Sequence, residues 1–179
     1  MTRMSPRALA ALYDAVKDPA VIARYRAFVS TIVTERGCRL WTGAVSSKGH
    51  GRLWLSSFPV EVAGKTIVRD VCVIAHRYGF ALEHGVGELL RADKVTHRCD
   101  EPLCQEPAHW RAGTNSSNLQ EFHDRKLTPG SPLRDVRGAR GRAVALRDGL
   151  RAGTSLMTVF TAGQPSGDLL QDQLPLGDS

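Results

Sequence analysis

Apolar and polar positions divide the chain into a helical start, a strand-rich middle and a helical end. Leu9, Leu12, Tyr13 and Val16 recur at helical spacing behind Ser5-Pro6, where Ser5 is the N-cap and Pro6 the first helical residue. Asp18-Pro19 repeats the signal. Ile22, Tyr25, Phe28, Val29 and Ile32 then continue the period to Glu35-Arg36-Gly37, with Gly37 as a left-handed stop. Residues 1–36 are therefore expected to be a helical lead-in. From residue 38 the pattern shortens: Arg39 to Thr42, Gly51 to Ser56 and Thr66 to Val73 are β-branched, Leu- or Trp-bearing segments separated by turns such as Ser46-Ser47-Lys48-Gly49. They predict a small antiparallel sheet. Ile74 to Glu83 returns to helical spacing, with Ala75, Tyr78, Ala81 and Leu82 inward and Gly85 as its stop.

Beyond Thr128-Pro129-Gly130-Ser131-Pro132 the composition shifts, and 128–139 is expected to be a linker. A module at 140–163 follows, with one helix through Ala143, Leu146 and Leu150 ended by Gly153 and a second, capped by Thr154, through Leu156, Val159 and Phe160. Residues 164–179 are expected to be disordered.

Composition narrows the function classes. The 179 residues are 42% hydrophobic and 23% charged, an ordinary globular balance that excludes both a disordered chain and a large multidomain enzyme. No apolar run approaches the ~18 to 20 residues that span a bilayer, and the N-terminus lacks a signal-peptide stretch. The expectation is an intracellular, cytoplasmic protein without a membrane partner. A net charge of +6 suits a polyanion, nucleic acid first. The segment 131–151 holds six Arg against Asp135 and Asp148, and 152–179 contains neither Lys nor Arg. This segment reads as a solvated basic face on a packing helix, or as added phosphate contacts on a helix-turn-helix-like pair.

The four cysteines decide the chemistry. In a reducing compartment Cys38, Cys72, Cys99 and Cys104 are metal ligands or core residues rather than disulfides. Cys99, Cys104 and His109 stand at Cys-x4-Cys-x4-His spacing in one loop stiffened by Pro102 and Pro107, and a closed structural zinc site needs a fourth ligand. Cys38, at the start of the sheet, is the choice, with His76 as the other contender. Cys72 reads instead as buried strand within Val71-Cys72-Val73-Ile74.

Several ordered segments over 37–127 resemble the zinc-bound HNH branch of the His-Me finger (ββα-metal) endonucleases, of homing and phage type. They are Gly37-Cys38-Arg39-Leu40-Trp41-Thr42-Gly43, Lys48-Gly49-His50-Gly51-Arg52, Ala75-His76-Arg77-Tyr78, Val95-Thr96-His97-Arg98-Cys99 through Cys104, and Pro107-Ala108-His109-Trp110 with Gly113-Thr114 and Asn118. The resemblance implies an α+β fold with a ββα core stapled by structural Zn²⁺ at Cys38, Cys99, Cys104 and His109. It implies His97 as general base and Asn118 as ligand of a catalytic divalent cation such as Mg²⁺. DNA cleavage would then leave 5′ phosphate and 3′ hydroxyl ends, with no organic cofactor. Family members nick one strand or cut both as homodimers.

The chemistry of the residues agrees. A neutral imidazole accepts the proton of an attacking water, and a hard cation needs only an amide oxygen alongside phosphate oxygens. Thr114 as N-cap places Asn118 about one turn into a helix. Arg52 is a candidate phosphate contact, with Arg77 and Arg98 weaker ones. The chain departs from the family pattern in Gln105-Glu106-Pro107 before the zinc histidine and in Ser116-Ser117 before Asn118, where an acidic residue often stands, and Glu101 and Glu106 also add negative charge near the DNA path. The competing readings are a non-catalytic zinc-dependent DNA-binding module and a nuclease subunit of a phage packaging or recombination assembly.

Overall fold

Two proline-led helices, α1 (Pro6–Ala15) and α2 (Pro19–Ala27), open the computed structural model, which describes residues 4–171. The Ser5 hydroxyl accepts from the Ala8 amide at 3.2 Å and the Asp18 carboxylate from the Ala20 amide at 2.8 Å, which satisfies one free N–H at each helix start. Leu12 and Ala15 are buried, whereas Tyr13, expected on the inner face, is exposed.

The second helix ends ten residues before the expected stop at Gly37. Val29–Val33 forms strand β1, which pairs antiparallel with β2 (Arg39–Trp41). Phe28, Val29 and Ile32 fit a helical period, but Val29, Thr31, Ile32 and Val33 carry branched side chains that suit extended backbone once β2 offers an edge. Gly37, at φ +74°, serves the β1–β2 turn instead of ending a helix.

Strands β3 (Ala44–Val45), β4 (Gly51–Val62) and β5 (Lys65–Ile74) form a second antiparallel sheet in that order. The β4–β5 hairpin is longer than its apolar pattern predicts. After a register shift between Trp54 and Ser56 it pairs without interruption to Val62↔Lys65 and closes on Ala63 and Gly64, both at positive φ, the conformation of a tight two-residue hairpin turn. Because β3 covers only the start of β4, the outer part of β4 has a free edge that tolerates Pro59.

Helix α3 (Ala75–His84) follows β5 and ends before Gly85 at φ +90°, and a short helix α4 (Val86–Arg91), absent from the sequence reading, continues it. A Cβ at Gly79 would lie 2.2 Å from the Tyr25 hydroxyl and 2.4 Å from the Trp110 ring, so α3 approaches both through this glycine. Strands β6 (Lys94–His97) and β7 (Trp110–Gly113) form a third antiparallel pair, from Lys94↔Gly113 to His97↔Trp110. Helix α5 (Asn115–Lys126) leaves β7 through a capping box in which Thr114 and Ser117 bond reciprocally. The protein is thus a mixed α+β chain of small antiparallel sheets. One core, with Leu12, Leu40, Trp41, Tyr78, Leu103 and Leu146 almost fully buried, joins the N-terminal helices to the rest.

The end of the chain departs from expectation. Helices α6 (Gly138–Ala152) and α7 (Leu156–Thr161) pack with the core rather than hang from a linker, and α8 (Ser166–Gln171) follows them. Within the expected linker, Pro132 and Asp135 are buried. Within the expected disordered tail, Asp168 accepts from Arg134 at 2.6 and 2.8 Å and from the Gly130 amide at 3.1 Å, which anchors α8. Residues 172–179 of that tail lie outside the described residues. Gly153, at φ +68°, ends α6, and Ser155 rather than Thr154 holds the N-cap position of α7. Among the described residues no helix is long and apolar enough to cross a membrane.

Candidate metal centre

The loop between β6 and β7 is shaped by its own backbone before any ligand is considered. Asp100 turns the chain at φ +57°, a left-handed conformation that Asp tolerates better than most residues. The Cys104 amide donates to the Glu101 carbonyl at 3.0 Å, and Pro107 starts a 3-10 turn ending at His109. The Arg98 amide donates to the His109 carbonyl at 2.9 Å and closes the loop at its base.

Strand β2 then docks along this loop. The Trp41 amide donates to Leu103 at 2.8 Å, the Gln105 amide donates to Arg39 at 2.7 Å, and Leu40 bridges Cys104. This ladder carries Cys38 to the cysteines some sixty residues away in sequence. The His109 ring lies on Gly37, where a Cβ would stand 3.6 Å from it.

Cys38, Cys99, Cys104 and His109 consequently converge, their ligand atoms all within 4.8 Å of one another. His109 Nδ1 lies 3.6 Å from the Cys38 sulfur and 3.3 Å from the Cys104 sulfur. Tetrahedral zinc with Zn–S of about 2.3 Å needs sulfurs about 3.8 Å apart, and three thiols with one imidazole is a standard closed zinc set. The buried cluster can therefore hold a zinc ion. The Glu106 amide reaches the Cys104 sulfur at 3.4 Å, a further aid to a ligating thiolate.

The electrostatics match that use. Hydrogen bonds from the Cys104 and Cys99 thiols draw the Cys38 thiol well below its usual range. Cys104 is pushed far up by Cys38, by Cys99 and by burial. Cys99, although Cys104 donates to it, is also raised by Cys38 and by burial. Three buried thiols side by side share one ready anion, and a cation is what would let all three ionise.

The other predicted residues sit around this cluster. His97 ends β6, only 9% exposed, and its Nε2 lies 3.0 Å from the Cys104 carbonyl, to which the Trp110 indole also donates at 3.3 Å. Burial holds its pKa at about 4, with the Cys104 carbonyl opposing the shift. His76, the alternative fourth ligand, lies instead in a row of imidazoles, 4.4 Å from the His97 ring and 5.3 Å from that of His50. Cys72 is half-buried on β5, opposite Trp54.

Asn118 is half-buried one turn into α5, where its amide donates to the Thr114 carbonyl. Arg52 on β4 and Arg98 beside His97 are exposed. Arg77 is half-buried on α3 and lines a cavity of about 220 Å³ with Met4, Ala8 and Leu12.

Sequence reasoning missed what backs the loop. Glu101, read as charge along a DNA path, is 3% exposed and accepts from Arg142 Nε at 2.8 Å, while Arg142 also reaches Asp135 at 3.2 Å. No local spacing links residue 101 to 142; the one available signal was an arginine at an inward position beside Ala143 and Leu146. Glu106 pairs with Arg39 at 3.6 Å.

Comparison with known proteins gives partial likeness. No protein-family model matches the chain, and no solved structure does. Over 90 residues, 50% of this chain, it is 34% identical to Protein 2.8 of Escherichia phage T7. Over 85 residues, 48% of this chain, it is 32% identical to Protein 7.7 of the same phage. The aligned stretches cover 52% and 54% of those proteins, so the chain spans about half the length of the curated relatives it matches. The chain is similar, over half its length, to two phage T7 proteins, and it carries a buried Cys3His cluster able to hold zinc.

Proposed function

We propose that this chain is a metal-dependent DNA endonuclease with a His-Me finger (ββα-metal) core, β6–β7–α5, whose loop is closed by structural zinc at Cys38, Cys99, Cys104 and His109. The observation that carries the reading is the anchoring of His97 to the Cys104 carbonyl at 3.0 Å. A carbonyl only accepts, so His97 Nε2 bears the proton and Nδ1 keeps its lone pair. The loop that gathers the thiols thereby also orients an imidazole that burial keeps neutral and proton-accepting near pH 7. The negative charge of a bound phosphodiester would raise that pKa toward the working pH as the proton arrives.

Asn118, one turn into the helix after β7, is the oxygen donor for the second ion. Among the described residues no other group of three or more His, Cys, Asp or Glu side chains converges, so a hard cation here relies on the Asn118 amide oxygen and substrate phosphate oxygens. When bound, Mg²⁺ supplies charge stabilisation at the phosphate and the leaving 3′ oxygen. Arg52 and Arg98, both exposed, are the phosphate contacts of this reading, and Arg77 faces the cavity beside α1 instead.

One observation favours the rival reading of a zinc-dependent DNA-binding module without turnover: His97 is only 9% exposed, which leaves little room for an attacking water. Incubating the zinc-loaded chain with supercoiled plasmid, with Mg²⁺ or with EDTA, separates the two, with zinc content measured alongside because EDTA also competes with the thiolates for zinc. Mg²⁺-dependent nicked and linear products, reduced at least ~10²-fold in a folded His97→Ala variant, are expected. Unchanged cleavage by His97→Ala overturns the base assignment. Salt-sensitive DNA binding without cleavage selects the binding module. The order of nicked and linear forms reports one-strand action or a homodimer cutting both strands.

A further inference from the structure

A cavity of about 220 Å³ is walled by α1, the end of β5, the start of α3 and α4. None of its lining residues is a ligand of the thiol cluster, His97 or Asn118. Its side-chain wall is apolar, with Met4, Ala8, Leu12, Val73, Ile74 and Leu89, except at three residues. The Tyr78 hydroxyl already donates to the Ala15 carbonyl at 2.9 Å, and Cys72 offers a half-buried thiol. The third is Arg77.

Arg77 is half-buried and has no acid of its own. Arg134, Arg137, Arg142 and Arg147 each pair with a carboxylate, which at Arg134, Arg137 and Arg147 raises the pKa. At Arg77 burial lowers it, and no carboxylate or hydrogen bond opposes the shift. A guanidinium drawn from water without a partner is costly, and an anion with two coplanar oxygens would offset that cost by meeting its fork of donors. The head is reachable, because the buried side-chain nitrogens that lack a partner among the described residues belong to Arg24, His50, His76 and Arg125. One cation beside an otherwise apolar wall suits a monocarboxylate with an apolar tail better than a phosphate, whose extra oxygens and charge need more donors. At about 30 Å³ per water-sized unit, the volume admits about seven heavy atoms, one carboxylate on a four-carbon chain.

We propose that this cavity binds a short aliphatic monocarboxylate, its carboxylate paired with the Arg77 guanidinium and its chain against Leu12, Val73 and Leu89. The site does not depend on the nuclease reading, in which Arg77 takes no phosphate.

Titrating the full zinc-loaded chain at neutral pH with sodium pentanoate, 1-pentanol and sodium phosphate, followed by backbone amide NMR shifts, tests charge, tail and place together. Saturable binding of pentanoate, at least about tenfold tighter than of the alcohol or of phosphate, is expected, with shifts concentrated at Ala8, Val73 and Leu89. Equal binding of either control, no saturation by pentanoate, or shifts centred elsewhere overturns the proposal. In an Arg77→Met variant pentanoate should bind at least about tenfold more weakly while 1-pentanol keeps its affinity within about twofold. Unchanged pentanoate affinity in that variant overturns the pairing with Arg77. The contrast among the three probes on the unmodified chain decides the proposal even where the variant folds poorly.

Discussion

The cysteine loop and the C-terminal helices both concentrate chemistry-bearing residues, and they are held in opposite ways. In the loop, Cys38, Cys99, Cys104 and His109 turn toward one another and leave room for an ion among atoms within 4.8 Å. In the C-terminal module the arginines turn toward carboxylates: Arg134 to Asp168, Arg137 to Asp135, Arg142 to Glu101 and Asp135, Arg147 to Asp148. Four of the six arginines in 131–151 are thereby occupied within the chain, which leaves Arg140 and Arg151 as that segment's exposed cations free of an ion pair among the described residues. A thiol cluster without a cation remains chemically unfinished. An arginine run with its acids in place is scaffold, however basic it looks in one dimension.

The sharpest way to break this contrast is to remove a ligand. Cys99→Ala or Cys104→Ala is expected to lose zinc and unfold the core around β6–β7, because a structural ion contributes folding free energy directly. Metal analysis with a thermal melt checks this, and a Cys99→Ala protein with full zinc and unchanged melting would sink the ligand assignment. Replacing Arg142 by Met should come next. It strands buried Glu101, at a cost of about 3 to 5 kcal/mol as for one partner removed from a buried ion pair, and denaturant midpoints measure it. Zinc stoichiometry at low denaturant should stay near one per chain.

Acid separates the regions by a different route. Burial pulls the Asp135 carboxyl upward, but hydrogen bonds from Arg137 and Arg142 outweigh it and hold the folded pKa below the usual carboxylate range. A depressed folded pKa means stability present above the unfolded value of about 3.9 and lost as pH falls through the folded one. Protons compete with zinc for thiolates at higher pH than that. Metal release should therefore precede loss of the C-terminal helices in a titration followed by zinc release and circular dichroism; the reverse order would assign the scaffold role wrongly. The smallest effect belongs to Arg140→Ala, an exposed position, within about 0.5 kcal/mol of the parent in a thermal melt.

Much of this was readable along the chain. Ser5-Pro6 and Asp18-Pro19 marked helix starts through local hydrogen bonds, Thr114 marked the start of α5, and Cys99-x4-Cys104-x4-His109 announced its own convergence because all three residues share one short loop. These signals act over a few residues, where backbone geometry and side-chain chemistry leave few alternatives. The β1 segment was misread for the converse reason. Its spacing satisfied two periods, and only pairing with the edge of β2, the next strand along the chain, chose between them.

Tertiary structure alone decided the remainder. It paired Glu101 with Arg142 across forty-one residues, placed His76 in a row with His50 and His97 rather than among the thiols, and folded the expected linker and the start of the expected tail onto the core. A charge's meaning depends on whether its partner arrives before water does, and no local window of sequence records which distant group that is. The spacing of Cys99, Cys104 and His109 indicated that a metal could be held, and the docking of β2 along the loop decided where the fourth ligand, Cys38, would stand.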